Sequence, residues 1–433
     1  MPASTVPAKK AADLIITNIG ELLTLAGGPG PRTGAAMGDV GAIADAAVAV
    51  VGGKVAAVGP RRAVTDEWAL APGGEELDAR GGLVLPGFVD PHTHLVFAGS
   101  REDEFALRLQ GATYLEILKA GGGILNTVKR TRAAGQEELL AGAREHLITM
   151  ARHGTTTVEA KSGYGLDLEN EFKQLRVIAE LNRRGPLDLV STFLGAHAVP
   201  PEFAGKTDEY VELIISVILP AVAAAGLAEY CDVFCEEGVF DVAQSRRILL
   251  AAKALGLKLK LHADEMVSLG GAELAAELGA TSADHLLYAS DEGLARMAAQ
   301  GTVAVLLPGT PYSLGARDYA RAREMIARGV PVALATDFNP GTSYTESMPA
   351  VMELACRMMR LTPAEAIVAA TVNAAHAVGR AASVGTLEKG KQADLIIAAA
   401  PNHRYLPYHF GVNPVVTVVK RGRVIVRDGQ YEG

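Results

Sequence analysis

The sequence predicts an α/β protein with a (β/α)₈ TIM barrel and a small β-sandwich domain formed by the N- and C-terminal segments. Three features of its 433 residues lead to this prediction. Short apolar runs alternate with amphipathic helical stretches through the middle of the chain. The two ends contain strand-like runs and glycine turns without helical stretches. Histidines stand at the ends of several of the predicted strands.

The predicted barrel strands are short apolar runs. They are 88–95, 155–160, 187–197, 228–238, 257–265, 281–286, 302–309 and 330–338. Helical stretches separate them, such as 137–154, in which Leu140, Ala143, Leu147 and Met150 are expected to share a face. Glycine follows most of these helices, as is usual at a helix C-terminus. Eight such units over about 290 residues favour a closed barrel over a doubly wound open sheet.

The two ends of the chain resemble each other. The front contains ADLIITNIGELLTL, AVAVVGGKVAAVG and GGLVLPG, and the back contains GTLEKGKQADLIIAAA and VTVVKRGRVIVRDG. Each end alone is too small to bury a core, so we expect both to build one β-sandwich. The predicted boundaries are 1–86 and 381–433 for the two parts of the sandwich, and 87–380 for the barrel.

Composition excludes several classes of protein. A formal net charge of −8 argues against a nucleic-acid partner. Three cysteines cannot form a disulfide framework, which suits a reducing compartment. The apolar run 213–228 is too short to span a membrane, contains Pro220 and lies between Glu212 and Glu229. We therefore expect a soluble cytoplasmic protein without a membrane partner.

Five histidines stand at the C-terminal ends of predicted strands: His92, His94, His197, His262 and His285. In a barrel of this kind that end is the catalytic face. Strand side chains alternate, so His92 and His94 are expected to point to the same side. A single strand-end histidine is usually an ordinary polar residue near a rim. Five such histidines, together with Asp337 at the end of the eighth strand, predict a functional site.

Three of these imidazoles and one carboxylate form a candidate metal-ligand set. His92 and His94 lie at the end of strand one, His262 lies on strand five, and Asp337 lies at the end of strand eight. Such a set suits Zn²⁺ or a similar borderline metal and leaves room for a water molecule.

Several motifs resemble the amidohydrolase superfamily. They are PGFVDPHTHLVFAGSREDEF, LHADE, ADHL and ATDFNPGTS. The longer segments RLQGATYLEILKAGGGI and KSGYGL narrow the match to members that act in histidine degradation. The resemblance implies hydrolysis of 4-imidazolone-5-propanoate, a small-molecule substrate, to N-formimidoyl-L-glutamate. It implies His92, His94, His262 and Asp337 as metal ligands. It also implies substrate contacts from Arg101, Tyr164, His197, Glu265, Asn339, Gly341 and Thr342.

The residues also suggest how protons are handled. His285 is placed to take a proton from the water or to hold the developing oxyanion, and Glu265 to pass a proton to the departing ring nitrogen. Alternatively, Asp337 shares the role of general base. A structural alternative for Glu265 is an acid at the N-terminus of the next helix. Arg101 either grips a substrate carboxylate or forms exposed pairs with Glu102, Asp103 and Glu104.

The number of metal ions is also predictable. Binuclear relatives place a bridging lysine at the end of strand four, where this chain has CDVFCEEG. Lys161 lies on strand two, so we expect one Zn²⁺ or Fe³⁺ per subunit, unless Glu236 or Glu237 bridges two ions. The resemblance suggests a homodimer. The segment 100–126, which includes AGGGI, is expected to lie over the mouth. The alternative functions are a cytosine- or guanine-type deaminase and a non-enzymatic scaffold.

Overall fold

The structure is a computed structural model that describes residues 8–112, 116 and 121–433. The chain begins with five strands that contain the first half of the small domain. They are β1 Lys10–Leu23, β2 Ala42–Val51, β3 Lys54–Pro60, β4 Trp68–Asp78 and β5 Leu83–Pro86. The long strand β1 pairs antiparallel with β2 along one edge. Along its other edge it pairs in parallel with β4 and then with β5.

Nine parallel strands form the barrel and occupy eight positions, because the fifth is split in two. They are β6 Phe88–Asp90, β7 Thr155–Lys161, β8 Asp188–Ala196, β9 Tyr230–Cys235, β10 Lys258–Leu259, β11 His262–Ala263, β12 Ser282–His285, β13 Val303–Leu306 and β14 Val332–Leu334. Neighbouring strands follow one another in chain order from β6 to β14. All eight strand positions predicted from the sequence are present, and the barrel prediction is confirmed.

The barrel closes through the residues that follow β6 and β14. Thr93 bridges to Phe338, and the His94 amide donates to the Phe338 carbonyl at 2.9 Å. Asp90 accepts a hydrogen bond from the Thr336 hydroxyl at 2.6 Å. Burial raises the pKa of Asp90 to about 7. Closure therefore lies at the motifs that contain the predicted metal ligands.

The last four strands return to the small domain. They are β15 Leu395–Ala398, β16 Val415–Lys420, β17 Arg423–Arg427 and β18 Gln430–Tyr431. Because β15 pairs with β5, both ends of the chain join in one nine-stranded sheet. Side chains from both ends, such as Leu14, Ile16, Val84, Leu395 and Val419, share one core. The predicted small β domain is confirmed, and its strands hydrogen-bond continuously. The domain boundaries stay predictions.

Helices cover the barrel and connect its strands. They are α1 Arg61–Glu67, α2 Glu102–Leu109, α3 Ile124–Ala133, α4 Gln136–Arg152, α5 Leu168–Arg184, α6 Thr207–Leu213, α7 Leu219–Ala225, α8 Val242–Ala254, α9 Gly271–Leu278, α10 Asp291–Gln300, α11 Gly309–Leu314, α12 Ala322–Ala327, α13 Met348–Met358, α14 Pro363–Ala370 and α15 Val372–Ala377. In α4 the buried face contains Leu139, Ala143, Leu147 and Met150, whereas Leu140 is half-buried. Leu140 packs against the same core, so the predicted face is confirmed, with Leu139 as a further buried member.

One helix lies where the sequence predicted none. Helix α1 connects β3 to β4 within the small domain, and its Val64 is buried against Ala12, Ile15, Ala47 and Ala49. The expectation of helix-free ends was wrong because the small side chains of β1 and β2 leave the second face of the sheet open to a short helix.

The apolar run at 213–228 packs against the barrel. It forms the end of α6, a π-helical turn at Ile214–Ile218 and α7. The side chains of Ile214, Ile218 and Val222 are buried. Across the described part of the chain, every helix is too short or too polar to cross a membrane.

Candidate active site

Six side chains predicted from the sequence converge at the C-terminal mouth of the barrel. His92 and His94 follow β6, His262 begins β11, and His285 ends β12. The His92 ring centroid lies 4.5 Å from that of His262 and 5.5 Å from that of His285. The His197 ring stacks on His94 at 4.7 Å. These rings and the carboxylate of Asp337 are buried. The structure thus brings the predicted site residues together.

Two of these residues have unusual backbone conformations. The φ angles of His285 and Asp337 are 76° and 52°, in the left-handed region that side chains other than glycine rarely adopt. Both residues lie where a strand ends and the chain turns into a loop. Backbone strain at such positions is typical of functional sites, because it aims a side chain where a regular strand would not.

The cluster has unused ligand atoms that face a common point. Nε2 of His92 and Nε2 of His262 are buried and have no hydrogen-bond donor or acceptor among the described residues. Oδ1 of Asp337 lies 3.4 Å from Nε2 of His92 and 3.5 Å from Nε2 of His94. Two overlapping groups, His92–His94–His262 and His92–His285–Asp337, have the spacing to hold a metal ion. Buried nitrogens without partners fit a metal site, since leaving them unsatisfied is costly.

The opposite ring nitrogens are held by two aspartates that the sequence analysis missed. Nδ1 of His92 donates to Asp284 at 2.6 Å, and Nδ1 of His262 donates to Asp232 at 3.0 Å. This leaves Nε2 of each ring as the free ligand atom. A signal for both was available, because each aspartate lies inside a short buried strand, β12 or β9.

A lysine lies beneath this layer. Nζ of Lys161 is 2.7 Å from Asp232, 2.8 Å from Glu159 and 3.6 Å from Asp284, and all these groups are fully buried. Burial alone would lower the pKa of Lys161, but the three carboxylates raise it above its usual value. Lys161 therefore stays charged and compensates the acids that orient the histidines.

Burial and neighbouring polar groups set the protonation state of each residue in the cluster. Burial lowers the pKa of His262 to about 3, which favours the neutral imidazole that a metal requires. Burial also opposes ionisation of Asp337, but the adjacent imidazoles of His92 and His94 hold its pKa well below the usual value. Asp337 is therefore a carboxylate at neutral pH.

Glu265 lies beside His285. The alternative role considered for Glu265, an acid at the N-terminus of the next helix, belongs to its neighbour Asp264. Oε1 of Glu265 is 3.6 Å from Nδ1 of His285, and burial raises the pKa of Glu265. The carboxylate of Asp264, rather than Glu265, accepts hydrogen bonds from the backbone amides of 269–272 at the start of α9. The side chain of Glu265 is thus available to the cavity.

Glu236 has a structural partner. Its Oε2 accepts hydrogen bonds from the backbone amides of Glu265 at 2.9 Å and Met266 at 2.8 Å. Its Oε1 accepts from the amide of Glu237 at 3.0 Å. The carboxylate therefore holds the segment that contains Glu265.

The predicted substrate contacts surround a single cavity of about 500 Å³. The lining residues among them are Arg101, Tyr164, His197, Glu265, Asn339 and Thr342. Gly341 lies under the guanidinium of Arg101, and a Cβ at that position would stand 2.1 Å from its Nη1. All the predicted contacts are thus near the His–Asp cluster, and their roles stay predictions.

The alternative considered for Arg101 was a solvated surface charge, and the structure does not bear it out. Its side chain is 12% exposed and pairs at 2.8 Å with Glu104, which is 8% exposed. Glu104 also accepts a hydrogen bond from the Gly123 amide at 3.1 Å. Exposed pairs with Glu102 and Asp103 were therefore the wrong alternative, because the first turn of α2 directs Arg101 and Glu104 inward.

The far wall of the cavity is aromatic. Nδ1 of His197 donates to the Gly163 carbonyl at 3.0 Å, and its ring lies nearly parallel to His94. The Tyr164 ring lies 5.4 Å from His197, and burial raises the pKa of its hydroxyl. The amide of Tyr164 donates to Gln174 at 3.0 Å, which holds this loop in place.

Asn339 shapes the turn after Asp337. Its Oδ1 accepts hydrogen bonds from the amides of Gly341 and Thr342, each at 2.8 Å, and its Nδ2 donates to the Asp337 carbonyl at 2.7 Å. Of the segment 100–126 expected over the mouth, residues 113–115 and 117–120 lie outside the described residues. The described helix α2 lines the cavity with Arg101, Glu104 and Arg108.

Comparison with known proteins identifies the family. Residues 83–425 match the amidohydrolase family. An imidazolonepropionase of Symbiobacterium thermophilum is 55% identical, covering 97% of this chain and 99% of the relative. An imidazolonepropionase of Geobacillus kaustophilus is 54% identical, with 96% and 99% covered, and one of Bacillus velezensis is 51% identical, with 98% and 100% covered.

Solved structures of lower identity share the fold. An adenosine deaminase from Xanthomonas campestris with bound zinc has a TM-score of 0.68 and 18% identity, covering 98% of this chain and 95% of that chain. A 5-methylcytosine deaminase from Klebsiella pneumoniae has a TM-score of 0.70 and 17% identity, with 95% and 97% covered. The family match and the full-length relatives show that the chain belongs to the amidohydrolase family and, within it, to the imidazolonepropionases.

Proposed function

We propose that this enzyme hydrolyses the ring amide of 4-imidazolone-5-propanoate to N-formimidoyl-L-glutamate, a step in histidine degradation. The observation that carries the proposal is one cavity lined by members of the metal-competent groups, His94, His262, His285 and Asp337, and by Arg101. The metal-competent groups suit cleavage of a cyclic amide, and Arg101 suits a substrate with an anionic arm. Full-length relatives at 50–55% identity support the same reaction.

The donor set fits one Zn²⁺ or Fe³⁺ per chain. His92, His94 and His262 would bind through Nε2, and Asp337 through a carboxylate oxygen. The bound ion would supply an acidified water and polarise the ring carbonyl. Lys161 is held by Glu159 and Asp232, and Glu236 by backbone amides, so both are engaged in other contacts. This supports a single metal ion.

Proton transfer is assigned to three side chains of the mouth. Asp337 and His285 lie close to each other beside His92, and one of them would accept the proton of the attacking water. Glu265 delivers a proton to the departing ring nitrogen. The raised pKa of Glu265 supports this role, since it favours the protonated carboxyl closer to neutral pH. Its Oε1 lies 3.6 Å from Nδ1 of His285, so the two groups are direct neighbours in the cavity.

The remaining lining residues bind the substrate. Arg101 faces the cavity beside Gly341 and Thr342, and we assign it to the propanoate carboxylate. Tyr164 and His197 form the wall against which the imidazolone ring would lie. Arginine suits the carboxylate because its planar fork can donate two parallel hydrogen bonds.

Two alternatives are less well supported. A deaminase of cytosine or guanine acts on a neutral base and has no need of a buried arginine in its cavity. The likeness to deaminase structures is at 17–18% identity and concerns the fold alone. A non-enzymatic scaffold has no need of two overlapping groups of residues at metal-ligand spacing, nor of left-handed backbone at His285 and Asp337.

A spectroscopic assay tests the proposal. The purified, metal-loaded protein is given 4-imidazolone-5-propanoate, cytosine and guanine in separate reactions. We expect loss of the imidazolone absorbance with formation of N-formimidoyl-L-glutamate, and no release of ammonia from the two bases. Ammonia release from either base, without turnover of the imidazolone, would favour the deaminase alternative.

Two expectations from the sequence stay predictions. They are a cytoplasmic location and a homodimer. Sedimentation of the purified chain measures the second directly.

A further inference from the structure

A second arginine faces the cavity beside Arg101. Arg101 precedes α2 and Arg108 is near its end, seven residues later, so the two side chains leave the helix on the same face. Both guanidinium groups line the cavity that contains the His–Asp cluster. The candidate substrate contacts taken from the family pattern include Arg101 and leave Arg108 without a role.

The two arginines differ in how their charges are compensated. Arg101 pairs with Glu104 through Nε at 2.9 Å and Nη2 at 2.8 Å. Arg108 donates to a neutral acceptor, the Gly341 carbonyl, through Nη1 at 3.4 Å and Nη2 at 3.3 Å. Its buried Nε has no hydrogen-bond acceptor among the described residues. Among residues 8–112 and 121–433, the ion pair at this wall joins Glu104 to Arg101, and no carboxylate there forms one with Arg108.

Together, Arg101, Arg108 and Glu104 carry one net positive charge on this side of the cavity. Burial and the neighbouring charge of Arg101 lower the pKa of Arg108, and Glu104 opposes this shift. A partly buried cation whose hydrogen-bond acceptor is neutral gains most from a ligand that brings a carboxylate. The charge balance at this wall therefore has room for one monoanion.

We propose that Arg108 is a specificity-determining residue of the reaction, which supplies the uncompensated positive charge that selects a substrate with a carboxylate arm. Arg101, oriented by Glu104, then contacts the same arm or its neighbouring atoms. The inference rests on the proposed function, because the carboxylate is the propanoate of that substrate. It assigns the choice between an anionic and a neutral arm mainly to Arg108.

The test compares two substrates that differ in one group, the propanoate and the corresponding propanamide. We expect Arg108→Gln to raise KM for the propanoate by roughly 10- to 100-fold, the usual effect of losing a hydrogen bond to a charged group. KM for the propanamide should change by less than about twofold, and kcat for both should stay within about twofold. Arg108→Lys should recover part of the loss, because it restores the charge without the fork.

The control and the contrary outcomes are separate. Arg296→Gln removes a charge from an exposed pair with Glu292 on α10 and should leave both KM values unchanged. If Arg108→Gln raises KM for both compounds by the same factor, Arg108 merely supports the Gly341 turn and the inference is wrong. If neither KM changes, Arg101 alone selects the carboxylate and the inference is also wrong.

Equilibrium binding separates this inference from the proposed function. The same two compounds are titrated into wild type and Arg108→Gln in a calorimeter. If the wild type binds the propanoate more tightly than the propanamide but does not turn it over, the proposed function is contradicted. The effect of Arg108→Gln on propanoate binding still decides the role of Arg108 in that case. Wild type that binds the two compounds equally overturns the inference.

Discussion

Nδ1 of His92 lies 2.6 Å from Oδ2 of Asp284, and both side chains are fully buried. The same relationship joins His262 to Asp232 at 3.0 Å. Each aspartate holds an imidazole with its other nitrogen directed into the mouth, and Lys161 compensates both carboxylates from below. Orientation of the candidate ligands therefore depends on residues that do not themselves face the cavity.

The first prediction concerns Asp284. Asp284→Asn should weaken metal binding by roughly 10- to 100-fold, because the amide holds the His92 ring less firmly and can present a donor to Nδ1. Competition with a chelator of known affinity measures the change. Asp291→Asn, which alters an exposed acid on α10, is the control. Unchanged affinity in Asp284→Asn would mean that ring orientation is set by packing alone.

The second prediction concerns Lys161. Lys161→Met should lower the free energy of unfolding by about 3–5 kcal/mol, because it leaves the buried Asp232 without its lysine and Glu159 with only the more distant Lys260, at 3.5 Å. Urea denaturation of the metal-free protein measures this loss without a contribution from a bound ion. Lys206→Met removes an exposed partner of Glu209 and should change stability by less than about 0.5 kcal/mol. Equal effects of the two substitutions would show that the buried acids are compensated in another way.

The third prediction separates metal ligands from proton-transfer groups. His285→Ala and Glu265→Gln should each lower kcat by roughly 100-fold or more, with metal content near that of the wild type. His262→Ala should lose the metal instead. Metal analysis of each purified variant, beside its kcat, makes the comparison. Metal-free His285→Ala would place His285 among the ligands, which its spacing from His92 and Asp337 also allows.

The fourth prediction concerns Arg101 and the glycine beneath it. Arg101→Ala should raise KM for the propanoate substrate by a factor that corresponds to about 1.5–3 kcal/mol, and Arg101→Lys should recover part of it. Gly341→Ala should also raise KM, because its Cβ would displace the guanidinium. Gly142→Ala on α4 meets open space and is the matched control. An unchanged KM in Arg101→Ala would move carboxylate recognition to other residues of the cavity.

Periodic features explain why so much of the fold was predictable. Each barrel strand and its helix repeat one local pattern, and the repeats of ADLII at Leu14 and Leu395 indicated that the two ends belong together. The convergence of His92, His94 and His262 followed from the rule that parallel strands end on one face. These predictions needed no contact between distant residues to be known in advance.

Long-range pairing explains what was missed. Asp284 contacts His92 across 192 positions of the chain, and its place inside a buried strand does not indicate which residue it pairs with. The roles of Asp264 and Glu265 were hard to separate from sequence, because both lie before the same helix and a shift of one residue decides which one faces its amides. Inward orientation of Arg101 depends likewise on the burial of Glu104 and its contact with Gly123.

The central claim is that one metal ion at the His–Asp cluster supports hydrolysis of the imidazolone. Its most direct test is to strip the metal from the protein and follow turnover of 4-imidazolone-5-propanoate as the ion is added back in measured equivalents. We predict negligible activity without metal and a linear recovery that saturates at about one equivalent per chain. Full activity in the stripped protein, or a recovery that saturates only at about two equivalents, would contradict the account.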